Sequence, residues 1–249
     1  VRLRGRYEQG FLWVVSHTIQ FSESGTNIDY VNQGGQDNLF AVNRLSLDAF
    51  IGSRNIVTLL YQPLELATSA LLADAISVDE LTYPADTAVD FLYSFPFYRV
   101  SWMYDLDANP DAEIGVGLSL QIRNARIEFE STDGELFRAN RDIGPVPILK
   151  TRIRQPLAGP FWAGLEADGF YAPISYLNGS TNEVIGAILD ASVRGGIELQ
   201  DGAEAFLNLR YLGGGAVGTS ERTGPGDGYT DNWLHFVTVS AGFSVDFNE

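Results

Sequence analysis

The segment Trp233–Phe247 alternates apolar and polar residues almost without a break. Every second residue from Trp233 is apolar or aromatic except His235, whereas the intervening set ends in polar residues and a glycine. Those intervening residues are Thr238, Ser240, Gly242, Ser244 and Asp246. Since successive side chains of a strand point to opposite faces, this pattern predicts a β-strand with one apolar face and one polar face.

Ten segments of this kind follow one another along the chain. They cover approximately 3–21, 37–51, 55–72, 86–105, 113–130, 142–156, 161–175, 184–199, 204–217 and 232–247. Short gaps with turn-forming residues alternate with long gaps. The short gaps lie at 52–55, 106–112, 157–160 and 200–203, and the long ones at 22–36, 73–85, 131–141, 176–183 and 218–231. The pattern predicts an all-β fold: a closed antiparallel up-and-down barrel of ten strands, formed by residues 1–249 as a single domain.

A soluble sandwich or barrel also has alternating strands, but two features favour a membrane barrel. Several segments approach 15 residues, whereas strands of soluble proteins average about 5–6. The polar face also carries charges where a soluble core would be apolar, as at Arg123 and Arg194. The final strand, with an aromatic at Phe247, resembles the assembly signal of Gram-negative outer-membrane β-barrel proteins. Asn248 and Glu249 follow that aromatic, which departs from the usual terminal position.

The resemblance implies a transmembrane barrel in the bacterial outer membrane, with short periplasmic turns and long extracellular loops. The composition is compatible with this fold. No apolar run approaches the roughly 18–20 residues of a transmembrane helix. Cysteine is absent, which excludes disulfides and thiolate chemistry. The net charge of −16 argues against nucleic acid as a partner. Val1 is not preceded by the basic and apolar segments of a signal peptide, so we expect the numbering of a mature chain.

Charged residues whose side chains are predicted to point into the barrel form the first candidate site. The basic members are Arg44, Arg99, Arg123, Lys150, Arg152, Arg154, Arg194 and Arg210, and the acidic members are Asp48, Glu65, Asp90, Glu166, Asp168, Asp190, Glu198 and Asp246. Because a ten-stranded barrel is narrow, we expect these charges to pair and largely plug the lumen, most densely between strands six and seven. A selective channel and an acid–base site stay open as alternatives.

Prolines within the strands form the second candidate feature. They are Pro63, Pro96, Pro145, Pro147 and Pro173. Proline cannot donate to the ladder, so we predict bulges at Pro63 and Pro96. These two and Pro147 lie at a similar predicted height. They either shape the barrel wall or form a lateral seam through which a lipid chain could enter the barrel. Such a use of prolines resembles that of outer-membrane acyltransferases of the lipid A palmitoyltransferase type.

The two histidines of the chain, His17 and His235, fall near the loop end of the first and last strands. Both share the phase of the lipid-facing residues, so we predict that they neighbour each other at the outer rim, beside an aromatic girdle. A hydrolytic triad is not supported, because Ser16 and Ser240 belong to the opposite phase. Ten strands also occur in the omptin proteases, but their paired Asp-His and Asp-Asp motifs are not recognisable, and no catalytic residue is assigned.

The segment Thr223–Asn232 is rich in oxygen ligands and glycine, and makes Asp227 and Asp231 weak metal candidates; no metal or other cofactor is predicted. The expected partners are outer-membrane lipids and lipopolysaccharide, and a protein that binds the loops. The oligomeric state is open. These observations favour a structural or interaction barrel that presents acidic loops at the cell surface. The alternatives are a narrow channel for small solutes and a lipid-modifying enzyme with lateral access at the prolines.

Overall fold

A computed structural model describes residues 1–107, 109, 111–173, 183–200, 202–220 and 226–247. Regular structure in these residues consists of strands: β1 (Arg2–Phe21), β2 (Ile28–Asp29), β3 (Leu39–Ile51), β4 (Asn55–Gln62), β5 (Glu65–Leu71), β6 (Ile76–Val78), β7 (Leu81–Tyr83), β8 (Ala88–Ser94), β9 (Phe97–Asp105), β10 (Glu113–Ser131), β11 (Phe137–Pro156), β12 (Phe161–Pro173), β13 (Glu183–Gln200), β14 (Ala203–Thr219) and β15 (Tyr229–Phe247). The described part of the chain contains no helix that is long and apolar enough to cross a membrane.

Ten of these strands close into an antiparallel barrel, which confirms the predicted fold class. The order around the wall is β1, β3, β4, β9, β10, β11, β12, β13, β14 and β15, and β15 pairs with β1. The register of that closing pair brings Leu3 opposite Phe247 and Thr18 opposite Trp233. We call the half of the barrel near the short turns the lower half and the half near the long loops the upper half. In the lower half, the described strands leave no free edge, as a strand structure in lipid requires.

The two faces of the wall have opposite chemistry. Outward-facing residues form an apolar band that includes Phe11, Leu45, Val100, Leu118 and Val239, each at least 46% exposed. Most inward-facing residues in the half near the short turns are charged or polar, and most of these are buried. An apolar exterior around a charged interior is the arrangement of a barrel that faces lipid.

The upper edge of the apolar band is visible on three neighbouring strands. On β4 and β9, Tyr61 and Tyr98 stack on the outer face, with ring centroids 4.9 Å apart. On β10, outward Ile122 is followed by Asn124 and Arg126. Aromatic rings at the edge of the band and charges beyond it are typical of the membrane–water interface. The strands beyond these residues therefore extend past the lipid.

The predicted bulges at Pro63 and Pro96 are absent. The pairing of β4 with β9 and that of β5 with β8 share one register, since Tyr61 lies opposite Tyr98 and Glu65 opposite Ser94. Each proline interrupts its strand, but the chain keeps its pleat because no extra residue is inserted. The phase that brings Gln62 inside therefore continues to Leu64 and Leu66, both at most 1% exposed. Glu65 lies on the outer surface as a result.

Among the described residues, the strand pairing of the wall is interrupted beside Pro63, in the half near the long loops. The first part of β3, Leu39–Arg44, pairs with β1 but not with β5, whereas β5 pairs with β8 alone. Gly34 and Gly35 lie against the free edge of β5: the Thr68 hydroxyl donates to the Gly34 carbonyl at 2.5 Å. A Cβ built on Gly35 would lie 3.3 Å from the Ser69 carbonyl oxygen. A loop segment thus covers the edge of β5 in place of a strand.

The upper half of the barrel encloses an apolar core that was not predicted. Inward-facing wall residues such as Phe91 and Phe236 pack with residues that the loops fold into the barrel, among them Tyr30, Ile76 and Tyr83. All five are at most 1% exposed. The Tyr83 hydroxyl donates to the Phe129 carbonyl at 2.9 Å, which joins the small β6–β7 sheet to the wall. The lumen is therefore charged in its lower half and apolar in its upper half.

Candidate functional site

Ten of the sixteen predicted lumen charges lie inside the barrel and are less than 9% exposed. They are Arg44, Asp48, Arg99, Lys150, Arg152, Glu166, Asp168, Asp190, Arg194 and Arg210. The side chains of Asp246 and Arg154 also face the lumen, at 6% and 18% exposure. Together with the residues added below, these groups form a charged belt across the lower half of the lumen.

Four residues predicted to lie in the lumen are not buried there. Three are acidic, and the fourth is an arginine. Glu65 and Asp90 are exposed on the outer surface, because the phase does not change at Pro63 or Pro96. Asp90 accepts a hydrogen bond from Ser69 there. Glu198, with a side chain 58% exposed, lies at the short-turn mouth and contacts Arg154 at 3.2 Å. Arg123 is partly exposed near the upper end of the apolar band.

Lys150 lies at the centre of the belt. Its ammonium group donates to Glu166 and to both carboxylate oxygens of Asp168, the latter at 3.1 and 3.2 Å. The register of β11 and β12, with Lys150 opposite Asp168 and Arg152 opposite Glu166, produces this arrangement. Strands six and seven of the barrel therefore carry a dense network, at the place that the sequence predicted.

Other partners reach across the lumen rather than along the wall. Arg99 of β9 contacts Asp168 of β12, and its Nη2 lies 3.1 Å from Asp190 of β13. The Nη1 atom of Arg152 donates to Asp48 at 3.0 Å. These contacts fill the cross-section, since opposite walls of a ten-stranded barrel lie within reach of long side chains.

Five charged members of the belt were missed by the sequence analysis. They are Arg4, Arg6 and Glu8 on β1, Glu113 on β10 and Glu204 on β14. Arg4 contacts Glu204 at 3.3 Å, and Glu8 accepts from Arg194 at 3.1 Å. The alternation Arg4-Arg6-Glu8, opposite in phase to Tyr7 and Phe11, is a signal that would have identified the first three.

Little space is left within the belt. The void between Arg44, Arg99, Lys150 and Glu166 has room for about one water molecule. A second cavity, nearer the short-turn mouth, is lined by Arg6, Arg152, Trp162 and their neighbours and has room for about two. The belt therefore separates the apolar upper core from the short-turn side of the barrel.

His17 does not face lipid, so this part of the prediction is wrong. A bulge between Val14 and Ser16 reverses the phase of β1 and directs His17 inward, where it is fully buried. Its Nδ1 atom lies 2.8 Å from the Gln36 side-chain oxygen, and its ring stacks on Tyr30. His235 keeps the outward phase and contacts the Tyr211 hydroxyl at 2.6 Å. The two histidines lie on adjacent strands but on opposite faces of the wall.

Of the prolines predicted to form a seam, Pro63 borders the opening between β3 and β5. Pro96 interrupts the neighbouring strand. Pro147 lies in the continuous β10–β11 ladder, opposite Leu120, and is not part of the opening.

Asp227 has a structural role in the loops. Its carboxylate accepts from the Ser22 hydroxyl and from the backbone N–H of Glu23 and of Tyr229, each at 2.9 Å. The N–H groups of Glu23 and Tyr229, more than the other contacts, hold the pKa of Asp227 below its usual value. Residues 223–225 of the predicted metal loop lie outside the described residues. Within the described ones, no three His, Asp or Glu residues are grouped to hold a metal ion.

A closed barrel with an apolar band outside and a charged belt inside defines a β-barrel membrane protein of the bacterial outer-membrane type. No protein-family model matches the sequence, and no curated protein is similar to it.

Solved structures similar to this chain are outer-membrane barrels of different activities. The outer membrane protease OmpT from Escherichia coli is 9% identical, with 99% of this chain and 97% of that chain covered and a TM-score of 0.49. The Ail attachment invasion protein of Yersinia pestis is 8% identical, with 97% and 98% covered and a TM-score of 0.37. The Pseudomonas putida toluene transporter TodX is 9% identical, with 98% and 90% covered and a TM-score of 0.33. These similarities carry nothing about the function of this chain.

Proposed function

We propose that this protein is a non-conducting outer-membrane barrel, a structural or interaction protein that presents acidic loops at the cell surface. One observation carries the proposal. The charged belt fills the lumen with groups that are already paired, such as Lys150 with Asp168 and Arg210 with Asp190. A passing ion would have to displace these charge-assisted hydrogen bonds, which are among the stronger contacts in proteins.

The charge of the loops supports the second half of the proposal. The loop residues 22–38, 72–87 and 132–136 contain no lysine or arginine. Their acidic residues are Glu23, Asp29, Asp37, Asp74, Asp79, Glu80, Asp86, Asp133 and Glu135. Most basic residues of the chain lie in the belt instead, which leaves these loops with a single sign of charge. Arg126, Arg138 and Arg141 lie on the neighbouring strand ends, and Arg138 pairs with Asp79. The remaining loop acids are the groups that attract cationic partners at long range.

Conductance of the full chain in planar lipid bilayers tests whether the barrel is non-conducting. We expect no discrete conductance steps from the unmodified protein, and small steps from the double variant Arg99→Ala/Asp168→Ala, which removes a pair that spans the lumen without changing the net charge. The matched control, Arg126→Ala/Glu128→Ala, removes a pair on the outer wall and should stay silent. Porin-like steps from the unmodified protein would overturn the proposal.

Binding of a cationic peptide probe to proteoliposomes tests whether the acidic loops bind a partner of opposite charge. Binding should weaken as salt is raised and in the variant Asp74→Asn/Glu80→Gln, because both acids lie in the loops. The variant Asp107→Asn, at the opposite end of the barrel, is the control. Equal loss of binding in both variants would contradict a role for the loops.

Lateral entry of a lipid chain is a second candidate function, favoured by the opening between β3 and β5. Lipid-facing residues Trp13 and Leu39, 56% and 61% exposed, continue to its rim. Behind it lie the apolar residues Leu64 and Leu66. Asn43 and Glu65 make the outer rim partly polar, and Pro63 follows Tyr61 at the upper edge of the apolar band. An acyl chain would therefore enter at the lipid–water interface and reach the apolar interior behind the opening.

Paramagnetic broadening of leucine methyl signals by a lipid labelled with a nitroxide near the end of its chain tests this candidate. Entry of chains should broaden Leu64 and Leu66 more than Leu212, which is also buried but lies on another part of the wall. Equal, weak broadening of all three would exclude lateral entry and leave the first function unaffected.

A further inference from the structure

The cavity at the short-turn mouth is distinguished by the kind of polar groups that it leaves unpaired. Its lining includes five arginines, namely Arg4, Arg6, Arg152, Arg154 and Arg194. Three buried N–H groups of the lining have no hydrogen-bond partner: Nε1 of Trp162 and the Nε atoms of Arg154 and Arg194. All three are donors, and among the described lining residues no buried side-chain acceptor lacks a partner.

Buried donors without an acceptor are costly, at about 1–3 kcal/mol each. Trp162 and Arg194 are only 6% and 7% exposed, so bulk water does not satisfy them. Acids that line the cavity already have partners: Glu113 accepts from Arg152 at 2.6 and 3.2 Å, and Glu204 from Arg154 at 2.6 Å. The missing element is therefore an acceptor.

Arg6 is the arginine with the weakest partner in this cavity. Its Nη2 atom reaches Asp48 at 3.4 Å. The same carboxylate accepts from Arg152 at 3.0 Å and from the Thr58 hydroxyl at 2.6 Å. Asp48 thus serves three donors, and the positive charge of Arg6 is incompletely balanced at the edge of the cavity.

The position of Trp162 is fixed by its neighbours. A Cβ built on Gly196 would lie 2.3 Å from the indole ring, so only glycine lets the ring lie flat against β13. On the other side, the guanidinium of Arg154 lies 4.9 Å from the centre of the ring, within the range of a cation–π contact. The indole N–H is therefore held in place without a protein acceptor.

We propose that this cavity is a binding site for one small anion of carboxylate size, reached from the periplasmic mouth of the barrel. The anion would accept from the Trp162 indole and from the unpaired arginine N–H groups, and would balance the charge of Arg6. The space suits formate better than phosphate, because it holds about two waters. The belt above closes the site towards the apolar core, so the ligand enters and leaves on the periplasmic side.

The test is a titration of the full chain in zwitterionic detergent micelles, observed through the indole N–H signals. The chain has four tryptophans, so ¹⁵N-labelled tryptophan gives four indole signals. The signal that is missing from the variant Trp162→Phe is that of Trp162. Sodium formate is added against sodium gluconate at constant ionic strength. We expect a saturable downfield shift of the Trp162 signal and no shift for lipid-facing Trp13 and Trp102.

Variants of Arg6 separate binding from a general salt effect. Arg6→Gln should weaken formate binding by about tenfold, the loss of one charged contact, whereas Arg6→Lys keeps the charge and most of the affinity. The control Arg54→Gln alters an arginine of the β3–β4 turn outside the cavity and should bind like the unmodified chain. An unchanged or non-saturating Trp162 signal, or equal binding by Arg6→Gln, would overturn the proposal and indicate that water fills the cavity.

Discussion

Arg210 donates two hydrogen bonds to Asp190, from Nε to Oδ1 at 2.5 Å and from Nη2 to Oδ2 at 2.7 Å. The two residues lie on neighbouring strands, β14 and β13, just below the apolar core. Asp190 also contacts Arg44 at 3.5 Å and Arg99 at 3.1 Å. One carboxylate therefore neutralises cations from three parts of the wall.

Replacing Asp190 with asparagine should destabilise the barrel strongly. Three buried arginines would lose their shared counter-charge, and breaking a buried ion pair typically costs about 3–5 kcal/mol. The urea midpoint of unfolding in micelles measures the effect. The control is Asp90→Asn, which alters an exposed carboxylate and should cost less than about 0.5 kcal/mol. Equal effects of both variants would contradict the assignment of Asp90 to the outer surface.

Gly196→Ala should destabilise the chain, whereas Gly195→Ala should not. A Cβ at Gly196 meets the Trp162 ring, and overpacking of this kind costs about 1–3 kcal/mol. A Cβ at Gly195 meets nothing within 4 Å. Thermal unfolding together with the indole signal of Trp162 measures both effects. A stable Gly196→Ala variant with an unmoved indole would show that Trp162 does not lie on Gly196.

His17→Ala should weaken the upper core more than His235→Ala. His17 loses its contact with Gln36 and its packing on Tyr30, Tyr93 and Phe236, whose rings lie within 5.6 Å of it. We expect a loss of about 2–4 kcal/mol for His17 and less than about 1 kcal/mol for His235, which contacts Tyr211 on the outer face. Urea unfolding of the two variants provides the comparison, and the reverse order would restore the predicted outward position of His17.

Acidification should release the contacts of Asp227. Because its folded pKa is lower than its unfolded value of roughly 4, the carboxylate contributes stability above that value and loses it as the pH falls through the folded pKa. Hydrogen-exchange protection of the Glu23 and Tyr229 amides should therefore fall at low pH. In Asp227→Asn the protection should be reduced at neutral pH and nearly independent of pH. Unchanged protection in the variant would mean that other contacts hold these amides.

The fold could be predicted because alternation is imposed on every wall strand by its surroundings. Lipid outside and paired charges inside require residues of opposite character at successive positions, so ten segments could be recognised without knowledge of their partners. The inward charges could be found by the same rule wherever the phase was continuous, as at Lys150, Arg152 and Asp168.

The wrong predictions arise where a single residue decides which face of the sheet the following side chains occupy. The bulge at Val15 leaves no mark in the composition of β1, yet it moves His17 from the outer to the inner face. At Pro63 and Pro96, by contrast, a bulge was predicted where none exists. The chain keeps its register across both prolines, so Glu65 and Asp90 lie on the outer face. The apolar upper core could not be predicted, because its loop members, such as Tyr30 and Tyr83, are isolated among polar residues.

Most partners in the belt are remote from one another along the chain. Arg152 and Asp48 are 104 positions apart, and Arg194 and Glu8 are 186 apart. In an open, partly assembled sheet these charges would face each other across an unfilled space, without the contacts that offset their desolvation. Pairs on neighbouring strands, such as Lys150 with Asp168, can form earlier, but the stability that comes from contacts across the lumen arrives only when β15 meets β1. This should make the final closure of the barrel a cooperative step of its assembly.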